Sequence, residues 1–590
     1  MKNVAEAIPD PPFTRWRLIG ALLVLAGLIA ALHGRSLAYG LFMDDYAHIR
    51  QLRSADWSLR ALIDACRLEL NGGVIDIWWM PECTLRFFRP AAFGIMKLTY
   101  TLSGWNPAVM HAASLTWHFL VCVLLMLLLH RLGIRRRIAW IVACLFAIHP
   151  GHVATVQWIA SQSELMVTTF ILAAFHCWAE FRGWPRSITV PPSLPVSAGR
   201  LGWGVACAGF FFLALGCREN ALVFPLVILF VEPVLPRRRP RAVLTCLGAL
   251  GFLAGAYLAL RSFYLGGFAL PPRPYVVPPS APDFVSYVVD KACYYLLGEF
   301  LLVPCVPIGG LDYFRHHPIA FYGLTLIVSV ILVLVIRSNR RSVAGFLAPA
   351  ALLGFMIPLL PVFESPHHLY LPGIGWALCA ALFLQDLSGL ATRNRESATW
   401  RKQLVACGTL GSALVFGLTT YFFGMAFDTA QAVEDRVVEE IATAPHPVAD
   451  GDTLYCVNLP MIAHYTQLAV EERTGVKNLH VVPLTWSPRL LGVATPTELI
   501  RVDERTFDVR VSGDRYFSGP SRLLIAQAAG GISPVQLNRP VSRAGFTVEP
   551  LAGDEAGFST LRFTFDRPFA QTGEHLFWGS QTRWACQLSP

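Results

Sequence analysis

Apolar segments about as long as a membrane-spanning helix recur between residues 17 and 423. A helix that crosses a bilayer core of about 30 Å needs roughly 20 mostly apolar residues. The pattern predicts an α-helical polytopic membrane protein with about eleven transmembrane helices: 17–33, 108–130, 138–150, 161–181, 201–217, 219–235, 242–261, 318–336, 343–361, 370–387 and 403–423.

The composition supports this class. The 590 residues are 54% hydrophobic and 15% charged, and their mean hydropathy is +0.49. Soluble globular proteins average about 45–50% apolar and about 25% charged residues. These values exclude a soluble enzyme with one large core, a disordered chain and a disulfide-rich miniprotein, and no nucleic-acid motif accompanies the net charge of +9.

Basic runs occur in alternate loops between the apolar segments. Lys and Arg are enriched in cytoplasmic loops, so the N-terminus is expected inside and the C-terminus outside. The segment 288–308 breaks this alternation if it crosses, and it contains Lys291, Glu299 and two prolines. It is therefore expected to be re-entrant or interfacial on the outer side. The five runs are Arg131 with Arg135–Arg137, Arg182 with Arg186, Arg237–Arg241, Arg337–Arg341 and Arg393–Lys402.

Two parts of the chain are then expected outside the membrane. The first is the loop 34–107 within a membrane domain that covers residues 1–427, and the second is the tail, 428–590. Apolar and polar residues alternate in the tail between turn residues, which predicts a small β-rich extracytoplasmic domain, most simply a sandwich. The predicted strands are 453–458, 479–484, 506–511, 522–527, 545–550 and 560–565.

Two adjacent carboxylates, Asp44 and Asp45, follow the first helix at the outer interface. A carboxylate in a partly desolvated cleft can act as a general base toward a hydroxyl group. The alternative is a solvated helix cap, and a metal site that adds His48 is a weaker third possibility.

Further polar groups fall on the same side of the predicted bundle. Together they describe an outer cavity suited to a phosphate-bearing substrate whose lipid tail lies in the bilayer. Taken singly, each also has a structural interpretation, such as an interfacial arginine, an ion pair or a core histidine. These groups are Arg89, His149, Glu164, Arg218, Glu219, Arg261, His367, His368 and Tyr370.

Seven short motifs occur in an order that resembles the GT-C superfamily of membrane glycosyltransferases. The nearest resemblance is to protein O-mannosyltransferases of the transmembrane-and-tetratricopeptide type and their bacterial relatives, over roughly residues 15–390. The motifs are Asp44-Asp45, Phe88-Arg89-Pro90, Gly104-Trp105-Asn106-Pro107, Ile148-His149-Pro150 with Glu164, Arg218-Glu219, Arg261 with Gly266-Gly267, and Leu369-Tyr370-Leu371-Pro372.

The resemblance implies transfer of a sugar from a polyprenyl- or dolichyl-phosphate donor to a hydroxyl acceptor, with inversion and without a metal. It implies Asp44 as the base, with Asp45 as the alternative, and if Asp44 is the base, Asp45 orients the acceptor or binds a neighbouring cation. The chain departs from the family at Arg218, where Lys is usual, and at His368, where Arg is usual. The β-rich tail replaces the tetratricopeptide repeats, so the acceptor does not carry over.

Two other functions would share the predicted architecture. A transporter or flippase of a lipid-linked substrate would use the outer cavity without needing the carboxylate pair. However, the sequence shows no paired broken helices with polar residues at mid-membrane depth, which are typical of transporters, so this alternative is disfavoured. A membrane scaffold whose tail binds a partner would need no polar cavity.

The basic runs predict that a thiol in the tail, such as Cys456, reacts with a membrane-impermeant maleimide in intact cells under reducing conditions. The measurement is the labelled fraction before and after lysis. Labelling that requires lysis would invert the topology.

Overall fold

A computed structural model of the chain describes residues 15–69, 78, 84–183, 199–235, 240–267, 276–303, 310–393, 398–518, 536–554, 556–568, 573–580 and 582–588. Helices dominate up to residue 442, and sheets follow from residue 453. The predicted class, a multi-pass helical membrane protein with a β-rich C-terminal part, is confirmed.

The helices of the first loop and bundle include several that the apolar pattern did not predict. Short helices lie in the first loop, where polar residues interrupt the pattern. In chain order the helices are α1 (Arg15–His33), α2 (Asp44–Ser54), α3 (Leu59–Asp64), α4 (Pro90–Leu102), α5 (Pro107–Arg131), α6 (Arg136–Ala147), α7 (Val153–Gln157), α8 (Gln162–Arg182), α9 (Gly199–Leu215), α10 (Phe224–Val231), α11 (Pro240–Leu265), α12 (Phe284–Leu301), α13 (Gly310–Arg315), α14 (Pro318–Ser338), α15 (Val343–Met356), α16 (Gly373–Arg393) and α17 (Ala398–Ala442).

Within the described parts of the chain, six helices are long and apolar enough to cross a membrane, and α6 with the following bent segment makes up to seven. Three shorter apolar helices accompany them at Leu201–Leu215, Val343–Leu359 and Gly373–Gly389. The number of eleven crossings therefore stays a prediction, as does the orientation of the termini.

Most of helix α12, from residue 288 onward, falls in the segment expected to be re-entrant, and α12 packs against α14 and the turn Pro366–Leu369. Lys291 and Glu299 on α12 are completely buried. Helix α12 is not among the helices with the length and apolarity of a membrane span. Whether it re-enters the membrane stays a prediction, and the two prolines of this segment lie outside the described residues.

The C-terminal part contains two sheets and one further helix, α18 (Thr466–Thr474). In the first loop, β1 (Arg67–Glu69) and β2 (Thr84–Arg86) form a short antiparallel pair. The strands of the C-terminal part are β3 (Thr453–Val457), β4 (His480–Pro483), β5 (Thr497–Arg501), β6 (Thr506–Val511), β7 (Val541–Arg543), β8 (Phe546–Asp554), β9 (Gly557–Phe565), β10 (Glu574–Trp578) and β11 (Cys586–Leu588).

In the first sheet, of order β11-β10-β3-β4, strands β10, β3 and β4 run parallel, and α18 connects β3 to β4. The second sheet, of order β5-β6-β9-β8-β7, is antiparallel.

Five of the predicted tail strands are present, and the sixth, 522–527, lies outside the described residues. The parallel strands with their connecting helix make the first sheet an α/β arrangement rather than half of an antiparallel sandwich. Helix α17 continues past residue 428 to Ala442, so the last bundle helix leads directly into the C-terminal domain. Cys456 is only 1% exposed. The exposed position Glu504 is therefore better suited, as Glu504→Cys, to the labelling experiment.

The first loop is anchored to the C-terminal domain by Trp78. Its ring is 2% exposed and packs edge-on against Phe517 and Phe563, with centroids 5.7 and 6.5 Å away. Its indole N–H donates to the carbonyl of Leu484 at 2.9 Å. A buried aromatic ring with a satisfied N–H is a strong anchor between two segments distant in sequence.

Trp78→Ala should lower the melting temperature of the purified protein, because removing a buried Trp typically costs about 3–5 kcal/mol. The matched control is Trp57→Ala, whose ring is 55% exposed. Equal melting temperatures for the two variants would show that Trp78 does not anchor the loop.

Candidate active site

Asp45 is the buried member of the carboxylate pair. Its side chain is inaccessible, and its two oxygens accept hydrogen bonds from the backbone N–H of Phe42 at 3.1 Å and of Ala160 at 2.7 Å. Burial raises the pKa of Asp45 well above its usual value, which the two N–H donors oppose and Asp44 reinforces. Asp45 thus joins the start of α2 to the turn Ile159–Ser161 that precedes α8.

Asp44 is oriented differently from its neighbour. It is only half-buried and makes no hydrogen bond or ion pair with any residue that the structure describes. The preceding residue, Met43, has φ 49° and ψ −119°, and its N–H donates to Oε2 of Glu434 at 3.0 Å. A non-glycine residue in this sparsely populated region costs on the order of 1–3 kcal/mol and is often found at functional sites. The bend leaves one carboxylate open and the other enclosed.

His48 lies on α2 with the two carboxylates, and the charges of Asp44 and Arg89 both act on its ring. Burial lowers the pKa of His48 to about 4, while Asp44 raises it and Arg89 lowers it. Its ring packs edge-on against Phe93 at 5.1 Å. Through this contact α2, which carries Asp44, packs against α4, and Arg89 immediately precedes α4.

A close backbone approach positions Arg89. The carbonyl of Gly216 accepts the N–H groups of Ala91 and Ala92, at 2.9 and 3.2 Å, and so caps the start of α4. A Cβ at Gly216 would come within 2.7 Å of the Ala91 Cβ. Only glycine permits this contact without a shift, and it places Arg89 beside Glu219, with Nη2 3.3 Å from Oε2.

Arg218 and Glu164 form a second ion pair, which is more deeply buried. Nε of Arg218 lies 2.9 Å from Oε1 of Glu164, and the side chains are 8% and 0% exposed. Asn220 donates to the other oxygen of Glu164 at 3.2 Å, and Arg218 donates to Ser163 at 3.3 Å. Burial lowers the pKa of Arg218 to about 10, so the guanidinium remains charged.

The histidine turn lies within range of both arginines. Nδ1 of His367 is 2.6 Å from Oγ of Ser365, and Nδ1 of His368 is 2.9 Å from the hydroxyl of Tyr295. Burial lowers the pKa of both histidines well below the usual value, and the charges of Arg218 and Arg89 lower it further. Both rings are therefore neutral at physiological pH.

Lys291 adds a buried positive charge near the histidine turn that the motifs did not predict. Its ammonium donates to the carbonyl of Phe363 at 3.0 Å and lies 5.0 Å from the Tyr295 ring. Its charge lowers the pKa of His367 and His368. The sequence does carry a signal for this position, because a lysine in an otherwise apolar helix indicates a functional position.

Arg261 lies on the edge of the same cluster. Its charge helps to stabilise the Glu219 carboxylate: burial raises the pKa of Glu219, but Arg89, Arg218 and Arg261 together lower it below the usual value. The buried Nε of Arg261 has no hydrogen-bond partner in the described part of the chain. Three arginine charges thus act on the carboxylates of Glu219 and Glu164, which leaves an excess of one positive charge.

His149 and Tyr370 belong to a different cluster. The ring N–H of His149 donates to the carbonyl of Glu299 at 3.0 Å, and the Tyr370 hydroxyl is 2.6 Å from Nδ1 of His118. The His152 ring packs between them, and its centroid lies 4.9 Å from that of His149 and 4.7 Å from that of Tyr370. The hydrogen bonds of His149 and Tyr370 thus lie within this buried network, and neither side chain is hydrogen-bonded to the arginines of the site.

Comparison with known proteins gives sequence relatives but no matching family model. Protein O-mannosyl-transferase TMTC3 from Mus musculus is 29% identical over 174 residues, which is 29% of this chain and 18% of the relative. Protein O-mannosyl-transferase TMTC1 from Homo sapiens is 31% identical over 162 residues, 26% of this chain and 17% of the relative. The chain is similar to protein O-mannosyl-transferases. The resemblance predicted from the motifs is thereby confirmed, although the matched region spans less than a fifth of each relative.

Two solved membrane enzymes are distant structural neighbours. The oligosaccharyltransferase of Archaeoglobus fulgidus, in complex with zinc and sulfate, aligns with a TM-score of 0.47 at 12% identity, over 78% of this chain and 62% of its own. ArnT of Cupriavidus metallidurans, bound to undecaprenyl phosphate, aligns with a TM-score of 0.42 at 16% identity, over 79% of this chain and 86% of its own.

Glu164→Leu should sharply lower the amount of folded protein and its melting temperature. It leaves Arg218 as an unpaired buried charge, and breaking such a pair typically costs about 3–5 kcal/mol. The double variant Glu164→Leu/Arg218→Met removes both charges and should recover most of the stability. The measurement is the melting temperature of both variants in detergent. A double variant that melts no higher than Glu164→Leu would show that the loss of stability does not come from the unpaired charge.

Proposed function

We propose that the chain is an inverting membrane glycosyltransferase that moves a sugar from a polyprenyl-phosphate donor to a hydroxyl acceptor at the non-cytoplasmic face. The observation that carries the proposal is the unpaired carboxylate of Asp44 on α2, a helix that packs against α4 next to Arg89 and its cluster of positive charge. The similarity to protein O-mannosyl-transferases supports mannose as the sugar.

In this proposal Asp44 is the general base. Its carboxylate takes the proton of the acceptor hydroxyl while that oxygen attacks the anomeric carbon, on the face opposite the phosphate. The bond between the anomeric carbon and the phosphate oxygen breaks, and the electron pair leaves with the phosphate. A single displacement of this kind inverts the anomeric centre.

The cations are proposed to stabilise the leaving group. The phosphate gains a negative charge as it departs, and fixed positive groups in a water-poor site stabilise developing charge strongly. Arg89, Arg218, Arg261 and Lys291 would share this role. A phosphate is a good leaving group, so no strong general acid is needed. The reaction is proposed to need no metal ion, because these side chains supply the positive charge.

Asp45 is proposed to support Asp44 rather than to react. Both of its oxygens accept backbone N–H groups, so neither is directed at an acceptor. This differs from the expectation that it orients the acceptor itself. A flippase for a lipid-linked sugar would use the same cations but would not depend on Asp44.

Asp44→Asn should slow sugar transfer by about 10²–10⁴-fold, which is the usual contribution of a general base. Donor binding and the melting temperature should stay unchanged, because the phosphate-binding groups are intact. The measurement is protein-bound label in membranes supplied with radiolabelled mannosyl-phosphoryl-polyprenol, beside filter binding of the donor. The matched control is Asp64→Asn, at an exposed carboxylate of the same loop.

The variant Asp45→Asn distinguishes the role of Asp45 from that of Asp44. An amide offers one acceptor where Asp45 offers two, so an N–H group would face a backbone N–H and the melting temperature should fall. If Asp44→Asn transfers sugar at the parent rate, Asp44 is not the base. An inactive Asp45→Asn with an unchanged melting temperature would instead assign the base to Asp45.

A further inference from the structure

A segment of the C-terminal domain is held against the start of α2, where Asp44 lies. Ile462, only 4% exposed, packs in one cluster with Phe42 and Met43. On the following helix, α18, Glu471 and Glu472 pair with arginines of α2: Arg50 is 3.2 Å from Glu471 and Arg53 is 2.8 Å from Glu472. Contacts on both sides of residues 463–470 thus fix this segment beside the carboxylate pair.

His464 lies near the start of this segment, and one of its ring nitrogens is available as a hydrogen-bond acceptor. Its Nδ1 is 3.1 Å from the carbonyl of Met461, which requires the proton on Nδ1. In the neutral ring, Nε2 is then an acceptor. Nε2 makes no hydrogen bond with any residue of the described chain, and it is not among the fully enclosed polar atoms.

Aromatic neighbours hold the His464 ring in place. The ring packs against Tyr465 at 4.4 Å and against Trp486 at 6.4 Å between centroids. His464, Thr466, Gln467 and Trp486 line a small cleft of about 10 Å³. This is room for about one water molecule or one hydroxyl group.

The charge of Asp44 reaches this ring. Burial lowers the pKa of His464, while the Asp44 carboxylate raises it. Met43, next to Asp44, and Ile462, two residues before His464, pack in one cluster, so Asp44 and His464 both lie at the junction between the first loop and the C-terminal domain. Asp44 makes no hydrogen bond or ion pair with the described residues, and the hydrogen-bond partners of His464 among them are the backbone carbonyls of Met461 and Ile462.

We infer that the C-terminal domain completes the acceptor site, and that Nε2 of His464 accepts a hydrogen bond from the acceptor so that its reacting hydroxyl points toward Asp44. This inference rests on the proposed function. It gives the domain that stands in place of the repeats a role in the reaction. His464 is a positioning residue in this account, because the proton of the reacting hydroxyl goes to Asp44.

The test compares His464→Ala and His464→Gln with the control His446→Ala, an exposed histidine of the same domain. The probes are radiolabelled mannosyl-phosphoryl-polyprenol as donor and detergent-extracted membrane proteins of the host, at varied concentration, as acceptor. His464→Ala should lower kcat/KM for the acceptor extract by about 10²-fold, the loss typical of a misplaced reactant. Donor binding and the melting temperature should be unchanged. His464→Gln should recover part of the rate, since its amide can reach the position of Nε2.

Each other result overturns a defined claim. Parental kcat/KM in His464→Ala overturns the inference and leaves the proposed function standing. A loss of rate that accompanies a lower melting temperature and that Gln does not recover also overturns it, because the ring then serves only packing. A parent chain that transfers no sugar overturns the proposed function, and the inference with it.

Discussion

The buried Asp45 carboxylate is the interaction on which the arrangement of the site depends. It accepts one backbone N–H from the end of the loop before α2 and one from the turn before α8. A buried carboxylate without such donors would be costly, because burying an unpaired charge is strongly unfavourable. With them, the carboxylate ties the first loop to the bundle and fixes the start of α2. The strained backbone at Met43 then presents Asp44 outward from a rigid base.

The arginines of the site are held by ion pairs with glutamates rather than by backbone N–H groups. Arg218 and Arg89 are each paired with a glutamate, but at different depths, since Glu164 is inaccessible and Glu219 is 30% exposed. The inner pair is held by Asn220 and Ser163, which fixes the position of the Arg218 guanidinium. The outer pair and Arg261 remain nearer to solvent, where an entering anion could share the guanidinium groups with Glu219. Buried pairs of this kind contribute little net stability, so their presence is better explained by a task than by folding.

Much of this architecture follows from sequence patterns, and the rest depends on contacts that no pattern encodes. Long apolar segments predicted the main helices, and alternation predicted the strands at 453–458 and 506–511. The short strands β10 and β11 lack clear alternation. Helix α17 continues into the C-terminal domain, and there Glu434 accepts the backbone N–H of Met43 in the first loop. The motifs identified Asp44, Asp45, Arg89 and Arg218. Only the bend at Met43 separates the two carboxylates, and only tertiary packing assigns His149 and Tyr370 to a separate network. His464 was missed because its proximity to Asp44 arises between residues more than 400 positions apart.

The central claim is that a glycosidic bond is broken and another is formed at this site. The most direct measurement uses the purified full chain in liposomes with radiolabelled mannosyl-phosphoryl-polyprenol, host membrane proteins as acceptor and a metal chelator. The account predicts that one polyprenyl phosphate appears for each sugar bound to protein, in the presence of the chelator. Movement of intact donor between leaflets without release of polyprenyl phosphate would contradict it.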